Sequence, residues 1–275
     1  KNSPKAFLAQ PCPALVSYIE IYKPDLKKYL APLDSPMAHT MKMIRHYYPE
    51  YNNHRIAVIS PCFAKRREFD AIGMGDYNVT MLSIEKYIIE HSVQLSKYPP
   101  RDFDGPKAER AVLFSMPGGL MRTVARELPK SPLKIRKVEG VPEVYEYFNS
   151  LDETLKKNIN ITYKVIDCLS CKFGCNGGAG TTNRNRSSGS LEYDIEKRCT
   201  EAVAQNRKKY FLRTARGAEK AFSKSMNRYW QESLYNRMYS DRADMYSQYI
   251  KQPTHEEIRR VHISMHKRKA SEAQE

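Results

Sequence analysis

The chain lacks any apolar run approaching the roughly 20 residues that a membrane-spanning helix needs, so no membrane-embedded role is expected. It lacks a secretory signal pattern as well, although it opens at Lys1 without Met, and the true N-terminus is expected upstream. Cysteine is sparse. Six cysteines in 275 residues are too few for a disulfide scaffold. The seven histidines share no motif, and His39, His46 and His91 read as ordinary helix residues. No internal repeat is present, which excludes the repeat architectures.

Charge of one sign is in excess. Lysine and arginine number 46 against 31 acidic residues, a net charge of +15, with a mean hydropathy of −0.67. Residues 1–180 carry 26 basic and 19 acidic residues, and residues 181–275 carry 20 and 12, so no single basic tail explains the excess. Such a surface suits acidic proteins, nucleic acid or membrane phosphates and discriminates poorly among them. No nucleic-acid reading motif accompanies it, so a nucleic-acid partner is not expected. The length still allows one large domain or two ordinary ones with a real core.

What is present is cysteine in particular company. Cys12 sits in Gln-Pro-Cys-Pro-Ala, and Cys62 in Ser-Pro-Cys-Phe-Ala-Lys. Cys168, Cys171 and Cys175 open Cys-Leu-Ser-Cys-Lys-Phe-Gly-Cys-Asn-Gly-Gly. Each lies where a strand or loop gives way to a helix or turn, beside Pro or Gly. There the backbone can approach a bulky ligand and offer N–H groups to sulfur. Thiolates drawn from three distant segments point to an enclosed iron–sulfur centre in a reducing, cytoplasmic compartment. Zinc bound by Cys168, Cys171, Cys175 and a histidine is the competing reading, because the spacing alone does not exclude it. Buried free thiols are the other. Cys199, in a charged helical stretch, reads as incidental.

The apolar pattern predicts helices over 13–23 and 36–48, where Met37 and Met41 form a core stripe, and strands over 55–60 and 78–82. A helix should run from Ser83, as N-cap, to His91. Residues 93–110 read as loop. Residues 111–115 read as a strand, and Pro117-Gly118-Gly119 should turn it into a helix ending near Glu127. Leu133 to Val138 reads as strand, Pro142 opens a helix, and 163–167 is a last strand delivering the cysteine cluster. Strands alternating with helices predict an α/β fold, mostly parallel, with covering helices. Ligands of such sheets sit beyond the carboxyl ends of the strands, where Cys62, Gly118 and Cys168 fall. Residues 181–190, with Arg184 and Arg186, read as a solvated loop. Residues 192–250 read as helical, and Thr254-His-Glu-Glu257 is a capping box for a helix to about Lys269. Two units are expected: an α/β domain over 1–182 and a basic, mainly helical extension over 183–275.

The three cysteine motifs, in this order, resemble the signatures of iron–iron hydrogenases. Ser35-Pro36, the strand–helix over 79–91 and Phe114 to Met121 with its double glycine are similar landmarks. The resemblance covers roughly residues 6–180, and it implies the hydrogenase fold in partial form, lacking the family's first segment. It implies that Cys12, Cys62, Cys171 and Cys175 hold a 4Fe-4S cube, with Cys175 bridging to a two-iron subcluster carrying carbonyl and cyanide. Cys168 is an alternate ligand or redox partner on this reading. Gly118, Gly119, Gly174, Gly177 and Gly178 would let the backbone wrap the group, and Lys65 and Ser35 would face its diatomic ligands.

The departures matter as much. Hydrogen-producing members carry a cysteine where this chain has Pro11, a serine relay where it has Ala31, a glutamine where it has Met37, and methionines at Ser60 and Leu169. Without a titratable group within reach, proton delivery should be slow. The pattern resembles the divergent, sensory branch of the family, and Tyr246 to Lys267 resembles the link ahead of a further signalling module. The chain is therefore expected to be an internal piece of a longer protein. The expected role is a hydrogen or redox sensor, or a slow hydrogenase. Its partners would be H2 and protons, a redox protein or adjacent Fe–S module, and maturation proteins. An electron-transfer or Fe–S assembly protein holding only the cube is the alternative. A third reading makes 190–275 a basic module for an acidic partner.

Overall fold

Strand β5 (Val165–Leu169) lies between β1 (Phe7–Ala9) and β4 (Ile135–Glu139) in a three-stranded, wholly parallel sheet. Four of its five residues are buried, as a middle strand covered on both faces requires. The register sets Leu8 opposite Ile166 and Val138 opposite Cys168. Asp167 is the polar exception. Burial raises its carboxyl above the usual range, while the Met121 N–H donates to it at 3.0 Å. In this computed structural model the described residues are 6–9, 12–128, 134–183, 185–209, 214–244 and 254–264.

Helices α1 (Pro13–Tyr22) and α6 (Val141–Lys156) supply the rest of this core. Leu15 and Ile19 from α1 meet Val144 and Phe148 from α6 over Leu8 and Ile166. Each such side chain contributes about 1.5–3 kcal/mol on burial. Tyr18 stacks on Tyr145 with ring centroids 3.8 Å apart. The periodicity over 13–23 and from Pro142 onward thus translates directly into one packed layer.

A second parallel pair, β2 (Ala57–Ser60) and β3 (Tyr77–Thr80), is joined through α3 (Lys65–Ile72). Helix α2 (Pro36–Tyr47) precedes it. There the Ser35 side chain caps the helix by accepting from the Ala38 N–H, with Met41 buried and Met37 half-buried. Helix α4 (Met81–Glu90) starts two residues before the expected Ser83, because Thr80 is the cap: its hydroxyl accepts the Ser83 N–H.

Residues 111–115 are not a strand. They belong to a 3-10 segment, Glu109–Ser115, that leads into α5 (Gly119–Glu127). A short apolar run does not by itself separate strand from buried turn. Here Leu113 and Met116 bury against Cys199 of α7 (Ser188–Lys209), and no strand partner is needed. Gly119 packs so close that a Cβ would stand 1.8 Å from the Leu113 carbonyl oxygen.

Beyond α7 come α8 (Ala215–Asn227), α9 (Glu232–Tyr235) and α10 (His255–Ser264). The helical reading of 192–250 fails in its middle: residues 236–242 are extended, and Asn236 forms an antiparallel bridge with Leu33. Helix α7 also begins earlier than expected, inside the stretch read as loop. The Thr254 capping box is formed, with the Glu257 N–H donating to the Thr254 hydroxyl at 3.2 Å. Residues 265–269 and Tyr246 to Gln252 lie outside the described residues. Among the described residues, no helix is long and apolar enough to cross a membrane.

Candidate metal centre

Three chain turns at the carboxyl ends of parallel strands carry the cysteines. Cys12 follows β1 as the N-cap of α1, with Pro13 at the first helical position, where a missing N–H costs nothing. Cys62 follows β2. Its carbonyl accepts from Asn78 Nδ2 at 3.0 Å, and its Sγ accepts from the Ala64 N–H at 3.3 Å.

The turn after β5 is wound tightly. Phe173 and Gly174 both take left-handed conformations, with φ of 71° and 66°. For Phe173 that is a strained position, of the kind that costs about 1 kcal/mol or more and persists only where surrounding structure enforces it. The enforcement is visible. The Gly174 N–H donates to the Cys171 carbonyl at 2.9 Å and the Gly178 N–H to that of Cys175 at 3.0 Å. The loop then lies against Pro61, whose carbonyl oxygen a Cβ on Gly178 would meet at 2.6 Å. The backbone thereby brings the Cys175 turn alongside the Cys62 turn.

Electrostatics shows the same convergence. Burial pushes the Cys175 thiol up to about 12, with further upward pushes from Cys12, Cys171 and Cys62 and a downward pull from the Lys65 ammonium. Cys171 is raised by burial and then by Cys12 and Cys62. These thiols therefore lie near enough to feel one another's charge. Thiols carried by these turns are soft donors of the kind that a cationic inorganic core stabilises as thiolates. Lys65 keeps 12% of its side-chain exposure and pairs with the buried Glu68 at 3.1 Å, so it is not a surface charge. Among the described residues, no three His, Cys, Asp or Glu side chains are grouped to hold a single metal ion.

A family model for the iron only hydrogenase large subunit, C-terminal domain, matches residues 1–179. The chain belongs to this family. Solved structures of FeFe-hydrogenases share the fold. A variant of HydA1 from Chlamydomonas reinhardtii is 17% identical with a TM-score of 0.60, over 86% of this chain and 77% of that one. A FeFe-hydrogenase studied for oxygen inactivation through its H cluster 2Fe subcluster is 16% identical with a TM-score of 0.59, over 87% and 76%. HydA(deltaEFG), solved for stepwise H-cluster assembly, gives 17% and 0.59, over 86% and 77%. No curated protein matches the sequence.

Within this hydrogenase-family chain the remaining expected residues fall in different places. Cys168 is buried within β5 and its Sγ donates to the Ala9 carbonyl at 3.1 Å, so it is engaged in the sheet. Gly118 takes a left-handed turn at the start of α5. A Cβ on Gly177 would stand 3.3 Å from the Lys172 carbonyl oxygen, a tight contact within the same turn. Ser35 is buried with its hydroxyl used as a helix cap. Ser35 and Ala31 line a cavity of about 550 Å³ with Phe114, His39, Trp230 and Tyr235, and none of the cysteines lines it. This roomier, largely apolar space offers His39 and Asp34 as polar lining but no thiol. Pro11 and Arg184 lie outside the described residues. Glu68 and Arg237 escaped the sequence reading. Nothing in the pattern distinguishes a buried acid on a charged helix from its solvated neighbours.

Proposed function

We propose that Cys12, Cys62, Cys171 and Cys175 ligate a 4Fe-4S cube, and that residues 1–182 form the unit that encloses it, with 183–275 as a helical extension. What supports this reading most is the contact of the Cys175 turn with the Cys62 turn, through the Gly180 N–H on the Pro61 carbonyl, together with the mutual charge effects of the Cys12, Cys62, Cys171 and Cys175 thiols. The donor set fits the group: soft thiolates, backbone N–H groups near sulfur, and glycines where the chain must approach closely.

A two-iron subcluster bridged through Cys175 would sit beside Lys65. When bound, it supplies an open metal site able to polarise H2 for heterolysis. This chain's residues would hold that group, exclude water and donate charge-assisted hydrogen bonds through Lys65 Nζ. They supply little for proton movement at the positions the family uses, since Pro11 and Ala31 carry no titratable group. A hydrogen or redox sensor with slow turnover therefore fits better than a fast hydrogenase. The chain would act in the cytoplasm, with a redox protein or neighbouring Fe–S module as electron partner and maturation proteins delivering the cluster.

Anaerobic reconstitution followed by iron and sulfide analysis and electron paramagnetic resonance tests the cube. About four irons per chain are expected, and none would refute the assignment. Infrared spectra after maturation decide the second group: carbonyl and cyanide bands are expected. Their absence would favour a protein holding the cube alone for electron transfer.

A further inference from the structure

Residues 236–241, immediately after Tyr235 at the end of α9, form a non-helical strap across the hydrogenase-like unit, from outside the segment that matches the family. The Asp34 N–H donates to the Tyr235 carbonyl at 2.9 Å, and the Arg237 N–H to that of Pro32 at 3.2 Å. The Tyr239 hydroxyl donates to the Ala31 carbonyl at 2.6 Å, and the Ser240 N–H to Glu20 Oε1 at 3.0 Å. The two-residue period of extended chain turns Arg237 and Tyr239 inward together.

Arg237 meets Glu68. Its Nη1 lies 2.9 Å from Glu68 Oε1, while Lys65 Nζ lies 3.1 Å from Glu68 Oε2. The Arg237 and Glu68 side chains keep only 6% and 1% of their exposure. Two cations on one carboxylate leave a net positive charge on this trio, whose Lys65 stands three residues after Cys62 and acts on the Cys175 thiol, in a medium where charge is weakly screened. Without Arg237, Glu68 would cancel the Lys65 charge. A cluster held by four thiolates gains another negative charge on reduction, so surplus positive charge beside it favours the reduced form.

We propose that Arg237 is a positioning residue for this centre: by sharing Glu68 it keeps the Lys65 charge effective toward Cys175 and raises the reduction potential of a cluster bound there. This rests on the iron–sulfur reading above.

The test is an equilibrium redox titration of the reconstituted full chain, followed by absorbance and paramagnetic resonance. Arg237→Gln should shift the midpoint to more negative potential, and Arg237→Lys should restore most of the shift. Glu68→Gln should shift it the opposite way, because it removes the negative member and leaves both cations. A merely structural lesion would move both variants alike, so opposite signs are the diagnostic result. Tyr239→Phe loosens the strap without touching charge and should leave the potential unchanged. If Arg237→Gln binds iron as wild type does and keeps its potential, or if Glu68→Gln shifts the same way as Arg237→Gln, the inference is wrong. Should Arg237→Gln not fold, the Glu68→Gln shift alone decides, and an unmoved potential there overturns it. Failure of the wild-type chain to take up any cluster would instead overturn the iron–sulfur reading itself, and this proposal with it.

Discussion

The Gly180 N–H donates to the Pro61 carbonyl at 2.9 Å and thereby ties the loop of Cys175 to the turn of Cys62. Gly178 presses on the same oxygen. Gly178→Ala should therefore push the two turns apart. Over-packing of this kind costs about 1–3 kcal/mol. Thermal unfolding should report that loss, and iron content after reconstitution should fall further than the stability loss alone explains.

Serine replacements should divide the six cysteines. Cys12→Ser, Cys62→Ser, Cys171→Ser and Cys175→Ser should each lose iron and the visible absorbance of a cluster. Cys168→Ser should retain both, since a hydroxyl can also donate to the Ala9 carbonyl. Cys199→Ser should retain iron too, because Cys199 buries against Leu113 and Met116 in a separate cluster. Metal analysis of the six variants checks this.

His39 predicts how stability varies with pH. Burial lowers its pKa from the ordinary 6.5, with Asp34 opposing and Lys42 assisting, and its ring stacks on Tyr235 at 4.2 Å. The unfolded chain then binds the proton first, so stability is fully present above about pH 6.5 and falls as the pH drops toward the lowered value. His39→Phe keeps the stack and cannot titrate. Its melting temperature should decline less than wild type between pH 7 and 5, both about those values by the reference range.

Thr80→Ala should destabilise the fold by about 1 kcal/mol by removing the cap of α4, whereas Ser83→Ala should cost less than about half of that. Denaturant titration of the two variants separates them. An equal loss would return the cap to Ser83.

Much of the architecture was legible because burial imposes regular patterns. The α1 stripe, the Pro142 start of α6 and the run feeding Cys168 each became a packed element of the expected type. Cysteine motifs beside Pro and Gly likewise announced the turns, since a close backbone needs those residues. Other features left no local trace. Residues 111–115 had strand composition, yet the approach of Gly119 to Leu113 holds them as a tight turn, and that contact is invisible in sequence. Thr80 and Ser83 both make acceptable caps, and only the end of β3 chooses between them. The strap was read as helix because 236–242 carries no breaker. Its extended form comes from pairing with residues 31–34, some 200 positions earlier, which local propensity cannot foresee.

The parallel pairing of β1 with β5 also governs when the protein can mature. A ribosome must deliver residue 165 and beyond before the strand ahead of Cys12 has a neighbour to join. Until then that sulfur has no fixed place, while the Cys62 turn, built on the adjacent β2–β3 pair, can already form. A cluster held by these thiols, as proposed, would therefore load only after the β5 segment and Cys175 have been made. A nascent chain stalled before residue 165 should be unable to hold iron, however long it waits.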